Sequence, residues 1–390
     1  MSSGVAHRPF WLQRIEDAWR QAPIVWLTGV RRVGKTTLAR QLGDVEILNC
    51  DLPSTARRVE DPELFFRTVA GPAIVFDEIH QLPDPSRLLK IAADEHPGLR
   101  VLATGSSTLA ATKKFRDSLT GRKRTVHLLP VLVRELEAFG VSDLRRRLFH
   151  GGLPEALLAS RKPVELFTEW LDSYFARDVQ ELFSVAKRRE FLTLVELVLR
   201  RSGGELEVTG LSRQVEISRP TVTRYLDILE TTHLAHFLRP YHGGGRQELV
   251  HRPKVYGFDT GFVSFARGWM ELRDEDCGLL WEHLVLETLL SEIPARDVYY
   301  WRDKQRREVD FVLSRGNGRV DAIECKWRPD RFSPRSFTAF RELHPVGRDF
   351  VLSPGAGEPR LERRGERIVV VTDLTHWSNG AATRLADEVT

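Results

Sequence analysis

The sequence predicts a multidomain α/β protein, and three stretches carry that reading. "PIVWLTGVRRVGKTTLARQL" (23–42) is an apolar strand, a glycine loop and a helix start. "LSRQVEISRPTVTRYLDILETTHLAHF" (211–237) has the spacing of a helix–turn–helix. "EVDFVLSRGNGRVDAIECKW" (308–327) alternates apolar and polar residues on either side of Gly316, Asn317 and Gly318, as a β-hairpin does. A chain of 390 residues also exceeds one ordinary core, so two or three domains are expected.

Composition narrows the class. Hydrophobic residues make up 42% and charged residues 29%, the balance of a globular chain and not of a disordered one. The formal charge of +4 is mildly basic, which permits a nucleic-acid partner without requiring one. Cys50, Cys277 and Cys325 are scattered without paired metal spacing, which fits a reducing cytosol. The first residues form no apolar signal core, and nowhere do 18 apolar residues run together. A cytoplasmic protein with no membrane partner is therefore expected. Breaks in the pattern fall at "FHGGLPEAL" (149–157), "RRSGGEL" (200–206) and the polar run "ARGWMELRDEDCG" (266–278), while "YHGGGRQ" (241–247) reads as a loop tip.

The first third holds a phosphate cradle. Gly29, four residues, then Gly34, Lys35 and Thr36 match the P-loop, flanked by the strand and helix that the motif requires. Glycines let backbone amides wrap phosphates, and the following helix, which runs on through Thr37, points its positive end at them. Lys35 is expected to reach the β- and γ-phosphates of ATP, and the Thr36 hydroxyl to join the Mg²⁺ shell. The strand "AIVFDEIH" ends in Asp77 and Glu78, where ligands meet an open α/β sheet. Asp77 is expected to hold Mg²⁺ through water and Glu78 to orient or deprotonate the attacking water. A pair that merely caps the next helix is the plainer alternative. "LRVLATGSSTL" is a further strand running into small polar residues. The stretch after it, "TKKFRDSLTGRKRTVHLLP", is basic, as solvated faces usually are.

The middle third reads as a winged helix. Leu211 and Val215 share one face of a short helix, Ile217 and Ser218 fall in the turn, and Pro220 sits at the next helix start. Val222, Tyr225, Leu226 and Leu229 then form a core stripe, leaving Arg219, Thr221, Thr223 and Arg224 outside. Those exposed types suit phosphate or base-edge contact with DNA. Two strands around a glycine tip make the wing, which carries Arg246. The same fold also serves as a protein-interaction module or an ATPase lid, and the motif does not choose between them.

In the last third an amphipathic helix holding Glu282 precedes "DVYYW", "REVDFVLS" and "RVDAIECKW", followed by a helix near "RSFTAFREL" and the strand "GRDFVLS". Helix, three strands, helix, strand is the core order of the restriction-endonuclease-like fold. Residues i and i+2 of a strand point the same way, so Glu324 and Lys326 share a face, and Asp310 lies on the neighbouring strand. Asp310, thirteen residues, then Glu-x-Lys has the form of the PD-(D/E)xK nuclease signature, although Val309 stands where its proline would. In that reading Asp310, Glu324 and Glu282 converge on Mg²⁺ or Mn²⁺, and Lys326 lowers the pKa of a bound water or stabilises charge on the phosphate. The bland alternative is a charged hairpin with an ion pair between Glu324 and Lys326.

Taken together, "GVRRVGKTT", "VFDEIHQLPD", "ATGSST", "LTGR", "GGLPEAL", "YFARDV", "RPKVYGFDTG", "WEHLVLETLL", "WRDKQRREVDF" and "IECKW" resemble the bacterial and archaeal AAA-type (AAA+) ATPases with a C-terminal winged helix and a restriction-endonuclease-like domain. The resemblance implies a P-loop ATPase domain at 1–148, a helical lid or connector at 149–189, a winged helix at 190–265 and a PD-(D/E)xK nuclease-like domain at 274–390. It makes Thr104 or Ser106 the polar sensor of the γ-phosphate. It also implies a homo-oligomer in which Arg122 meets a neighbouring subunit's nucleotide. The expected function is ATP-dependent DNA processing with metal-dependent cleavage. The rivals are a nucleotide-dependent switch or scaffold that binds without cutting and a protein-remodelling ATPase.

Overall fold

The computed structural model describes residues 5–105, 113–180, 183, 185–243 and 252–388. Ser106 and Arg246 lie outside these residues. The N-terminal sheet is built from β1 (Ile24–Thr28), β2 (Val45–Asn49), β3 (Ala73–Asp77), β4 (Arg100–Thr104) and β5 (Lys123–His127). Its order is β2-β3-β4-β1-β5, and every pairing is parallel. Parallel strands need cover on both faces, and β1 shows why the sequence complies. Val25 and Leu27 enter one hydrophobic core, while Ile24 and Trp26 enter the opposite one. Two strands were not anticipated: β2, with only Leu48 buried in "VEILN", and β5, which lies inside the stretch read as a basic face. The helix Pro9–Trp19 packs against β5.

The core on the Val25 side continues without a break into the next segment. It takes in Trp170 and Tyr174 from the helix Val164–Tyr174, and Tyr225 and Leu229 from the helix Arg219–Thr231. Ser218 caps the latter helix through the Thr221 amide, with Pro220 in its first turn, as the sequence suggests. Beyond it, β6 (Gly204–Glu205), β7 (Ala235–Leu238) and β8 (Lys254–Gly257) form an antiparallel sheet of order β6-β8-β7.

The C-terminal sheet has the order β13-β14-β12-β11-β10-β9. Its strands are β9 (Val298–Arg302), β10 (Glu308–Ser314), β11 (Val320–Cys325), β12 (Asp349–Leu352), β13 (Arg360–Arg364) and β14 (Arg367–Thr372). The order of helix Asp274–Glu292, β9, β10, β11, helix Arg335–Leu343 and β12 follows the sequence reading. The β13–β14 hairpin extends the sheet beyond it. The result is a mixed sheet, with β11, β12 and β14 parallel and the rest antiparallel. A register shift between Val309 and Val312 bulges β10 at Asp310. Such bulges re-aim a side chain.

The middle segment and the C-terminal sheet are joined through backbone. The Tyr241 amide donates to the Tyr300 carbonyl at 2.7 Å, and the Tyr300 amide to the Arg239 carbonyl at 3.1 Å. The chain leaving β7 thus pairs with the outer edge of β9.

Candidate functional site

The P-loop joins β1 to the short helix Lys35–Ala39. Gly29 has φ +148, and a Cβ there would fall 2.5 Å from the Leu128 carbonyl oxygen. A side chain is excluded by backbone, so the turn requires glycine. Gly34 has φ +101 and caps the helix. Lys35 Nζ donates to the carbonyls of Gly29 (2.9 Å) and Val30 (3.2 Å). Burial pushes its pKa down, while the nearby Glu78 and Asp178 carboxylates oppose the shift.

A chain of hydroxyls and carboxylates ties the loop to the strand ends. Thr36 Oγ1 donates to Asp77 at 2.9 Å, and Thr104 Oγ1 donates to Asp77 Oδ1 at 2.6 Å. The Glu78 amide donates to Thr104 Oγ1 at 2.9 Å. Glu78 has φ +57, a left-handed conformation uncommon outside glycine, and its carboxylate lies 3.3 Å from His80 Nδ1. Thr104 is fully buried, with its hydroxyl committed to both acidic positions. Gly29, Gly34, Lys35, Thr36, Thr37 and Glu78 line one cavity of 1420 Å³. The Thr36 hydroxyl beside the Asp77 carboxylate is a donor set of the hard oxygen type that Mg²⁺ takes.

The cavity is also built from residues the sequence did not single out. Arg177 lines it, and the Arg31 guanidinium lies 3.5 Å from Asp178. Trp170 Nε1 donates to the Arg31 carbonyl at 3.0 Å, so the segment 164–180 grips the P-loop from outside. Beneath the loop, the buried Arg8 guanidinium donates to the Val33 carbonyl at 3.2 Å and pairs with Glu135 at 2.7 Å. The motif "YFARDV" held the signal for Asp178, whereas nothing in "HRPFW" distinguished Arg8. Arg122 lies just before β5, at the opposite end of the sheet from its own P-loop, and forks onto Asp94 at 2.5 and 3.1 Å.

On the helix Arg219–Thr231, Arg219 and Thr223 are exposed, while the Thr221 hydroxyl bonds Ser218 and Arg224 Nη2 donates to the Phe183 carbonyl. Of the predicted DNA contacts, Arg219 and Arg224 are exposed and Thr221 is half-buried.

In the C-terminal sheet Asp310, Glu324 and Lys326 do converge. Lys326 Nζ is 2.5 Å from Glu324 and 3.8 Å from Asp310. The Cys325 amide donates to Asp310 Oδ2 at 2.7 Å. Burial, reinforced by Asp310, pushes the Glu324 carboxyl up to about 8. Glu282 behaves otherwise than expected. Its carboxylate accepts from Tyr256 Oη at 2.5 Å and Lys254 Nζ at 3.2 Å, and Lys254 also pairs with Glu308. Among the described residues no group of three or more His, Cys, Asp or Glu is arranged to hold a metal ion. Glu282 therefore does not fit the place in a metal set expected of it, because Lys254 and Tyr256 take its Oε1.

A buried hub fixes these parts to one another. Arg147 is fully buried and donates to the Val131 carbonyl (2.6 Å), the Thr260 hydroxyl (2.9 Å) and the Glu287 carboxylate. Asp259 accepts from the Gly152 amide at 2.6 Å. The motifs "GGLPEAL" and "YGFDTG" meet here.

Residues 21–137 match a family described as an AAA domain, and the class of this part is an AAA-type P-loop ATPase. Residues 141–273 match a domain of unknown function (DUF8612), and residues 277–376 match another (DUF4143). The proteins Rv2008c of Mycobacterium tuberculosis and Mb2031c of Mycobacterium bovis are each 30% identical over 330 residues, covering 80% of this chain and 72% of theirs. The chain belongs to the family of these mycobacterial proteins. MJ1544 of Methanocaldococcus jannaschii is 23% identical over 264 residues, 62% of this chain and 58% of that one. A Walker-type ATPase of Pyrococcus abyssi aligns with a TM-score of 0.41 at 15% identity, covering 67% of this chain and 96% of that one, a likeness too loose to argue from. No helix among the described residues is long and apolar enough to cross a membrane.

Proposed function

We propose that this protein is a Mg²⁺-ATP-hydrolysing switch that engages DNA through its middle segment. The observation that carries the reading is the Thr36–Asp77–Thr104 chain set beside Lys35 and Glu78 on one cavity. Lys35 binds the phosphates, Thr36 and Asp77 hold Mg²⁺, and Glu78 orients the attacking water. Bound Mg²⁺ supplies positive charge to the phosphates. Thr104 acts as a positioning residue, fixing Asp77 through its hydroxyl and Glu78 through its amide. Turnover of ATP by the purified chain tests this. Lys35→Ala is expected to lose nucleotide binding, and Glu78→Gln to keep binding while turnover falls about 10²- to 10⁴-fold. Undiminished turnover in both variants would sink the assignment.

DNA engagement is supported by the exposed Arg219 on a helix of winged-helix order and by the basic charge balance. DNA-stimulated ATP turnover, lost in Arg219→Ala with Arg224→Ala, is the expected result, and unchanged DNA affinity in that double variant would remove the helix from the argument. The family resemblance adds a homo-oligomer in which Arg122 reaches a neighbour's nucleotide, tested by the mass and turnover of Arg122→Ala. A second reading, phosphodiester cleavage by the C-terminal domain, is favoured by the convergence of Asp310, Glu324 and Lys326. Plasmid cleavage that disappears in Asp310→Ala would raise it to first place.

A further inference from the structure

Lys254 belongs to β8 of the middle segment, yet its side chain is 4% exposed and ends among carboxylates of the C-terminal domain. Lysine is almost never buried this deeply unless paired. Here it pairs twice, with Glu282 of the helix Asp274–Glu292 at 3.2 Å and with Glu308 at the start of β10. Tyr256, two residues on along the same strand, donates its hydroxyl to the same Glu282. The strand is delivered firmly. Tyr300 of β9 donates its hydroxyl to the Arg252 carbonyl, just before β8, and exchanges backbone bonds with Arg239 and Tyr241 after β7. At the other end of the cluster Lys326 faces Asp310 and Glu324.

We propose that Lys254 is the built-in counter-ion of Glu282 and Glu308, supplied by the middle segment on the carboxylate, Glu282, that the family resemblance sets beside a divalent cation. An ammonium is a compact point charge with donors that rotate to suit several oxygens. Here it serves Glu282 and Glu308 together, across a junction between two parts of the chain. The C-terminal domain then owes the charge balance at Glu282 to β8, while its own Arg302 and Lys326 serve Glu308, Asp310 and Glu324, and its folding is independent of metal. The reading stands apart from the ATPase assignment, since none of these residues touches the nucleotide cavity.

Thermal melting of the full chain, with EDTA or with millimolar MnCl₂ and without nucleotide, tests it. The wild type is expected to melt at the same temperature in both. Lys254→Met leaves the half-buried Glu282 without a cation and Glu308 with Arg302 alone, at 2.8 Å, and is expected to melt lower by a few degrees, with Mn²⁺ recovering part of the loss. Lys254→Met with Glu282→Gln removes the carboxylate left unpaired along with the cation and is expected to melt above the single variant. Two results overturn the proposal. One is a Mn²⁺-dependent rise in the wild type that vanishes in Glu282→Gln, for the cluster then takes a metal with Lys254 in place. The other is a Lys254→Met variant that melts as the wild type does. Should Lys254→Met fail to fold, the wild-type comparison and the double variant still decide.

Discussion

Arg147 offers the sharpest test of how this molecule is held together. Its guanidinium has no exposed surface, and its partner Glu287 is 4% exposed. Removing the carboxylate in Glu287→Ala strands a buried cation, which costs about 3–5 kcal/mol. Arg147→Met strands Glu287 instead, and the Val131 carbonyl loses the Arg147 Nε donor, so its cost lies in the same range or above. Replacing both, as Arg147→Met with Glu287→Leu, removes the stranded Glu287 charge and leaves the Val131 carbonyl short of a donor and the buried Asp259, which the Arg147 charge also favours, with its backbone donors alone, about 1–3 kcal/mol. The double variant is thus expected to be more stable than either single one, with a coupling energy of about 3 kcal/mol or more. Urea unfolding followed by tryptophan fluorescence, with near-UV dichroism as a second probe of the same transition, measures it. Additive losses, or a Glu287→Ala variant within about 1 kcal/mol of wild type, would refute the reasoning.

Other outcomes follow from single contacts. Thr104→Val removes the hydroxyl that serves both Asp77 and the Glu78 amide, and is expected to lower ATP turnover about tenfold or more while nucleotide binding persists. Steady-state kinetics beside a binding titration separates the two. Gly152→Ala would place a Cβ 2.6 Å from the Arg147 guanidinium carbon, which its three partners prevent from retreating, so a loss of about 1–3 kcal/mol is expected in a melting experiment. Burial pushes His283 down to about 3, partly opposed by its bond to the Gly257 carbonyl. Its folded pKa lies below the unfolded value, so the stability it contributes is present above about pH 6.5 and is lost as pH falls toward 3. The expected loss is about 2 kcal/mol between about pH 7 and about pH 5, and His283→Gln should flatten that part of the stability curve.

Much of this was legible where local pattern decides structure. The P-loop, the apolar runs that became β1, β3 and β4, and the Ser218–Pro220 helix start all declare themselves within a few residues. Strands β2 and β5 did not, because an edge strand buries little of itself and "KRTVH" owes its place to pairing with β1, about 100 residues away in sequence. Buried cations were the larger omission. Nothing near Arg8 or Arg147 in sequence marks them as buried, because their carboxylate partners lie 127 and 140 residues further on. Lys254 was invisible for the same reason, and its absence from the reading is what made Glu282 look available to a metal. The bulge at Asp310 also lay beyond simple alternation, which assigns faces by counting residues in twos.

The backbone pairing of Arg239 and Tyr241 with Tyr300 bears on where this chain can be cut. Family matches divide it between residues 273 and 277, in a polar stretch that looks like a linker. A fragment beginning there would present β9 as a bare sheet edge, with the amide and carbonyl of Tyr300 open to any passing strand. Such a fragment is a candidate for self-association in a test tube however well its interior packs. A cut made before the helix Arg188–Arg200 would carry the natural cover of that edge along with it. The seam that sequence families mark is thus a poor guide to which pieces can live apart.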